Sequence, residues 1–169
     1  MTPQQAVDRA HSAMGHGCIY RLGAGGEHPL RAVPWDELQG CDCSGFVAWC
    51  LGLPRHDEEK NVWYDTSRIA IEANGDAQGR FLGAIWPDLQ LADLLVYGDH
   101  RDGEGVIRQG HVGIVTALAP TLVVHCSARN WTEHSDAIRE TGSGLWLANQ
   151  RAVVARYAAM ERSPAVGPA

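Results

Sequence analysis

The sulfur at position 43 stands where a thiol can do chemistry. The run Asp42-Cys43-Ser44-Gly45-Phe46-Val47 reads as the opening of a helix with Asp42 as its natural N-cap. Cys43 then lies among unpaired backbone N–H groups at the positive end of the helix dipole. A free thiol titrates near ~8.5, and this location is expected to lower that value and raise the thiolate fraction. A thiolate nucleophile needs a base to take and return a proton, and histidine is the usual one. Two of the eight histidines stand out because they bound apolar strands: His111 precedes Val112-Gly113-Ile114-Val115, and His125 follows Leu122-Val123-Val124.

These residues need a scaffold. Thr2, Pro3 and Gln5 form a capping box, and Ala6, Val7, Ala10, Ala13 and Met14 continue as an apolar stripe, predicting a first helix that ends at Gly15. In the second helix, Cys43, Phe46, Val47, Cys50 and Leu51 fall on one face, with Gly52 and Pro54 ending it. A short third helix is expected from Asp65 or Thr66 to Asn74-Gly75. Strands are expected at 94–97, 111–116, 121–126 and 152–157. Helices first and strands after predict an α+β fold, with the nucleophile's helix packed on a C-terminal antiparallel sheet.

The hairpin carries a geometric condition. A two-residue turn pairing Leu118 with Thr121 would leave His111 and His125 on opposite faces. An odd loop of three or five residues would set Gly113 opposite His125 and make the histidines same-face diagonal neighbours. The odd loop is the expectation.

At this level of detail the chain resembles a known family. Asp42-Cys43-Ser44-Gly45-Phe46-Val47 is similar to the nucleophile motif of the NlpC-type cell-wall cysteine peptidases, which are papain-like. Gly110-His111-Val112-Gly113-Ile114-Val115 resembles their histidine motif, and Val124-His125 the strand bearing their third polar residue. Asp93-Leu94-Leu95-Val96-Tyr97 and Gly17-Cys18-Ile19-Tyr20-Arg21-Leu22-Gly23 are similar to the segments before the histidine and the cysteine. The five matches run in family order from residue 17 to residue 126.

The resemblance implies that residues 1–162 form a single papain-like catalytic domain; the Pro/Gly/Ala-rich composition of 163–169 predicts a disordered tail. It implies Cys43 as nucleophile, His111 as general base and acid, and His125 as the residue orienting His111. The Cys43 backbone N–H would serve as an oxyanion donor. Tyr20, Asp42 and Ser44 match positions that bind a free peptide ammonium in family members that cut near an amino terminus, while Asp42 remains equally readable as a helix cap. The implied substrate is an amide of bacterial peptidoglycan stem peptides, commonly between D-glutamate and a diamino acid, opened through a thioester with no cofactor.

Alternatives stay open beside this reading. Asn130, Asn149 and Gln150 rival His125 as third residue. Cys41, Cys43, His111 and His125 could compose a zinc site, although C-x-C is not the usual knuckle spacing, and the expected metal is none. A papain-like amidase or acyltransferase on another amide would use the same thiol and imidazole. The Gly98–Gly110 loop and the region of Trp63, Phe81 and Trp86 are expected to border the cleft.

Composition excludes broader classes. Apolar residues at 45% and charged residues at 20% exclude disorder and collagen, and 20 acidic against 14 basic residues (net −6) exclude a phosphate-backbone binder. No apolar run reaches the ~20 residues of a membrane span, so no membrane insertion is expected. No secretory leader is visible at the start, which suggests delivery to the cell wall by a phage or a secretion machine, with an immunity or inhibitor protein as a second partner. Five cysteines cannot all pair within one chain; Cys43 is the one that must stay free. Cys50 reads as core, and a disulfide between two of Cys18, Cys41 and Cys126 is an alternative in an oxidising compartment.

Overall fold

The computed structural model describes residues 1–75 and 79–161; the expected tail 163–169 lies outside them. Among the described residues the helices are α1 (Pro3–Ser12), α2 (Cys43–Cys50), α3 (Thr66–Ala73), α4 (Ala128–His134) and α5 (Gly144–Leu147). The first strands are β1 (Ile19–Tyr20), β2 (Gly40–Cys41), β3 (His56–Asp57), β4 (Val62–Trp63), β5 (Phe81–Ala84) and β6 (Leu94–Tyr97). They continue as β7 (His100–Arg101), β8 (Ile107–Arg108), β9 (His111–Leu118), β10 (Thr121–Cys126), β11 (Ile138–Gly142) and β12 (Val153–Tyr157). Six of these strands form one antiparallel sheet in the order β11-β10-β9-β6-β12-β5, so the molecule is α+β. No helix among the described residues is long and apolar enough to cross a membrane.

Local chemistry explains where the helices start. Thr2 accepts from the Gln5 amide while the Gln5 side chain returns to the Thr2 N–H, the full capping box of α1. Asp42 and Asp65 cap α2 and α3 through the Gly45 and Arg68 amides. One expectation about α2 changes: its eight residues are all buried, not one face alone. The sheet residues Val112, Ile114, Val124 and Cys126 cover one side together with α1. The loop at Ala24-Gly25-Gly26 covers the other, so closely that a Cβ on Gly45 would lie 2.6 Å from the Gly25 carbonyl oxygen and 2.7 Å from that of Ala24. Glycine is the residue that allows this approach.

Helices do not all precede strands. β5 and β11 are edge strands with half-exposed patterns, and α4 and α5 are short, so none carries the apolar periodicity that marks a buried element. β12, the last strand, sits inside the sheet between β6 and β5. Phe81 at the start of β5 is buried against Tyr64 and Tyr157, and Trp86 packs under the opposite sheet face, so neither borders the cleft as expected. Pairing of β5 with β12, Phe81 opposite Tyr157, draws Phe81 inward.

The hairpin corrects the loop expectation and keeps its consequence. Leu118 pairs with Thr121 across a two-residue Ala119-Pro120 turn, the geometry that should separate the histidines. The register then shifts: Leu122 pairs with Ala117, but Val123 pairs with Val115. Thr116 is therefore an extra residue, a β-bulge that reverses the facing of everything before it on β9. Its hydroxyl donates to Glu140 Oε1 at 2.6 Å, and that same oxygen lies 2.8 Å from His11 Nε2 on α1, fixing the bulge from two elements. Continued along the strands, the shifted register sets Gly113 opposite His125.

Gly113 has no room for a side chain. A Cβ there would meet Val123 Cγ1 at 2.5 Å, His125 Cβ at 3.0 Å and Trp146 Cη2 at 3.0 Å. Gly113→Ala is expected to lower unfolding free energy by about 1–3 kcal/mol, as overpacked cores do, measured by urea titration at neutral pH.

Candidate active site

Cys43 is the first residue of α2, is 4% exposed, and lines a cleft of about 210 Å³ with Tyr20, Asp42, Ser44, Arg55, Gln109 and Gly110. His111 and His125 line an adjoining cleft of about 560 Å³ that shares Tyr20, Gln109 and Gly110 with the first. The expected contribution of the Gly98–Gly110 loop thus holds at Asp99, Gln109 and Gly110, while Trp63 stacks on His56 beside a separate hollow. The amides of Val112 and Ser44 are near enough to the Cys43 thiol to favour its anion. The nucleophile therefore lies near the residue that follows His111.

The two imidazoles meet directly, with His111 Nε2 2.8 Å from His125 Nδ1. His125 Nε2 lies 3.1 Å from Thr141 Oγ1, and the Thr141 hydroxyl donates to the Gly142 carbonyl at 3.4 Å. With the Thr141 proton on that carbonyl, the hydroxyl accepts from His125 Nε2–H. The neutral His125 then has a bare Nδ1, which accepts from His111 Nε2–H. His111 is left with a lone pair on Nδ1, the form a general base requires.

Trp146 completes the site and had no signal in the sequence. It is 1% exposed and stacks on His111 with centroids 5.6 Å apart and planes at 17°. It meets His125 edge-on at 5.3 Å and 87°. An indole face over an imidazole fixes the ring and favours the cation that forms when His111 takes a proton. The space for it comes from Gly113, whose hydrogen is all that separates the strand from the indole.

The rivals for third residue have other duties. Asn130 is buried and donates to the backbone carbonyls of His125 and Ala137, at 3.3 and 3.1 Å, clamping the end of β10. Asn149 accepts from the Arg151 amide in a turn, and Gln150 is exposed. Cys41 directs its thiol to the carbonyls of Asp42 and Pro34, and no group of three or more His, Cys, Asp or Glu among the described residues is arranged to hold a metal ion. All five cysteines are free and buried, so no disulfide joins Cys18, Cys41 or Cys126; Cys126 donates to the Cys41 carbonyl at 3.3 Å.

Burial reverses the expected titration of the nucleophile. The Cys43 thiol is pushed up to about 12, first by burial and then by the neighbouring Asp42 charge, against smaller opposing effects of the Val112 and Ser44 amides and Arg55. His111 is pushed down to about 3 by burial and then by His125, and His125 to about 4 by burial. The resting pair is a neutral thiol and neutral imidazoles. Here desolvation outweighs the pull of the helix end.

Asp42 is fully engaged. Oδ1 accepts from the Gly45 amide at 2.8 Å and the Ser44 hydroxyl at 3.1 Å; Oδ2 accepts from the Gly23 amide at 2.7 Å and Arg55 Nη2 at 2.6 Å. Arg55, which sequence reasoning missed, is 6% exposed and also donates to Ser44 Oγ at 3.1 Å and the Ala24 carbonyl at 3.0 Å. Tyr20 borders both clefts, and burial raises its hydroxyl above the ordinary tyrosine range.

No protein-family model matches the chain, and no curated protein matches it. The site is therefore read from its own geometry.

Two outcomes test that geometry. Removing the Thr141 hydroxyl in Thr141→Val is expected to lower kcat about five-fold with little change in KM, the worth of one net hydrogen bond, in steady-state assays on the substrate proposed below. Stability should also depend on pH. An unfolded histidine titrates near ~6.5, so below that value the unfolded chain binds protons that the buried imidazoles refuse, and stability falls with pH. The thermal midpoint is expected to drop between pH 6.5 and 4, and to drop less steeply in His125→Asn, measured by circular dichroism.

Proposed function

We propose that the protein is a papain-like cysteine endopeptidase that hydrolyses an amide in bacterial peptidoglycan stem peptides, between D-glutamate and a diamino acid. The observation that carries the reading is the His111 Nε2 to His125 Nδ1 contact of 2.8 Å in a cleft adjoining that of a cysteine at a helix start. Its support is the combination of that contact with the resemblance of five ordered segments to the NlpC-type peptidases.

The chemistry follows from the direction of the hydrogen-bond chain. As the Cys43 sulfur attacks the carbonyl carbon, its proton passes to His111 Nδ1, so two groups that are neutral at rest become charged only in the step that uses them. His125 accepts from Nε2 and keeps the imidazolium oriented, and the Trp146 face lies over it. The developing oxyanion takes a hydrogen bond from the Cys43 N–H, one of the helix-start amides that lack an intrahelical acceptor. His111 then gives its proton to the leaving nitrogen and the C–N bond breaks, leaving a thioester. Water attacks the thioester, loses a proton to His111, and expels sulfur, which recovers that proton.

The test uses purified murein fragments with wild type and Cys43→Ala, and identifies new termini by mass spectrometry. A free carboxylic acid and a free amine at the cut bond are expected, with the rate in Cys43→Ala lower by about 10⁴-fold or more, as when other nucleophiles are removed. Undiminished cleavage by Cys43→Ala removes the mechanism. An acid terminus capped by a second amine in place of water identifies an acyltransferase.

A further inference from the structure

The two clefts of the proposed active site divide the catalytic groups between them. Cys43 lines the smaller and neither histidine does; His111 and His125 line the larger and Cys43 does not. In the proposed reaction the acyl carbon ends on the Cys43 sulfur. The leaving nitrogen takes its proton from His111, so it must lie within hydrogen-bond reach of that ring. The acyl half of the substrate therefore occupies the Cys43 cleft, and the leaving residue occupies the histidine cleft. Tyr20, Gln109 and Gly110 line both and stand at the divide, where the cut amide crosses. At about 560 Å³ the histidine cleft falls within the ~300–1,000 Å³ range of small-ligand sites.

Much of the polar lining of the histidine cleft is already committed. Ser127 accepts the Asn130 amide, Asn130 donates to two carbonyls, and Thr141 is held between His125 and the Gly142 carbonyl. Arg129 on α4 is the one permanent cation lining this cleft, and Glu133, one turn on, is its one carboxylate. Glu133 Oε1 accepts from Arg129 Nε at 2.7 Å, and its other oxygen faces His134 Nε2 at 3.8 Å. The terminal nitrogens of Arg129, on a side chain 83% exposed, have no partner among the described residues. A guanidinium carries five N–H groups in a planar fork. With Glu133 on the Nε edge, the end formed by Nη1 and Nη2 stays open to a second carboxylate.

We infer that Arg129 is a specificity-determining residue whose open fork holds a carboxylate on the residue that leaves. Two carboxylates have that chemistry: the α-carboxylate, where the peptide ends at the leaving residue, and one carried on its side chain. An amide in the same place offers one acceptor oxygen and no charge, so amidation of the held carboxylate weakens recognition. The inference rests on the peptidase reading, and the experiment separates the two.

The probe is a stem peptide whose leaving residue is a diamino diacid at the peptide's end. It is prepared as the free acid, as each monoamide of that residue, as its diamide, and with the glutamyl carboxylate amidated instead. For each form kcat/KM is measured with the wild-type protein and Cys43→Ala. Wild type is expected to cleave the free acid about fivefold faster than the diamide, the worth of one exposed charged contact. The monoamides then identify which carboxylate is held. A difference under about threefold overturns the inference and leaves the peptidase intact, and a loss confined to the glutamyl amide does the same. No Cys43-dependent cleavage of any form overturns the peptidase reading and the inference with it. Arg129→Gln is expected to bring the acid-to-diamide ratio to about one, whereas Arg129→Lys, which keeps the charge, retains a preference for the acid. An unchanged ratio in Arg129→Gln overturns the role given to Arg129.

Discussion

One hydrogen bond organises this molecule: His111 Nε2 to His125 Nδ1, across the β9–β10 hairpin. It exists because the strands disagree by one residue. A tight two-residue turn alone would put the imidazoles on opposite faces, and Thr116 supplies the odd residue that restores them to one. The surrounding structure follows from holding that arrangement in place. Glu140 and His11 secure the bulge, Gly113 leaves space for Trp146, and Trp146 covers both rings.

The second constraint is burial. A nucleophile at a helix start is ordinarily thought of as activated in advance, yet here the sulfur is held neutral between the Asp42 charge and the packed sheet. The histidines are held neutral by the same exclusion of water. Charge is thereby created only during proton transfer, where fixed amides and an indole face await it. The Asp42–Arg55 pair belongs to this economy: a buried carboxylate beside a nucleophile is tolerable when a guanidinium and two amides meet it.

Much of the frame was legible residue by residue. The capping box at Thr2, the caps at Asp42 and Asp65, and the apolar runs at 94–97, 111–116 and 121–126 all identify their elements because the signals are local. β5, β11, α4 and α5 escaped because edge strands and short helices are stabilised by neighbours more than by their own patterns. Trp146 and Arg55 escaped for a related reason. Each lies far along the chain from the residue it serves, and neither sits in a run that marks it.

The sequence by itself determined the reactive types, the helix that presents Cys43, and the two strands that end in histidines, since caps and period-two patterns are properties of adjacent residues. Only the tertiary structure decided which way His125 faces, because facing depends on hydrogen-bond register and one bulged threonine reverses it. It alone decided that the thiol rests protonated, because desolvation is set by what packs around a group. And it alone showed that Asp42 is already occupied, because the guanidinium that fills it arrives from outside the motif and is placed there by the fold.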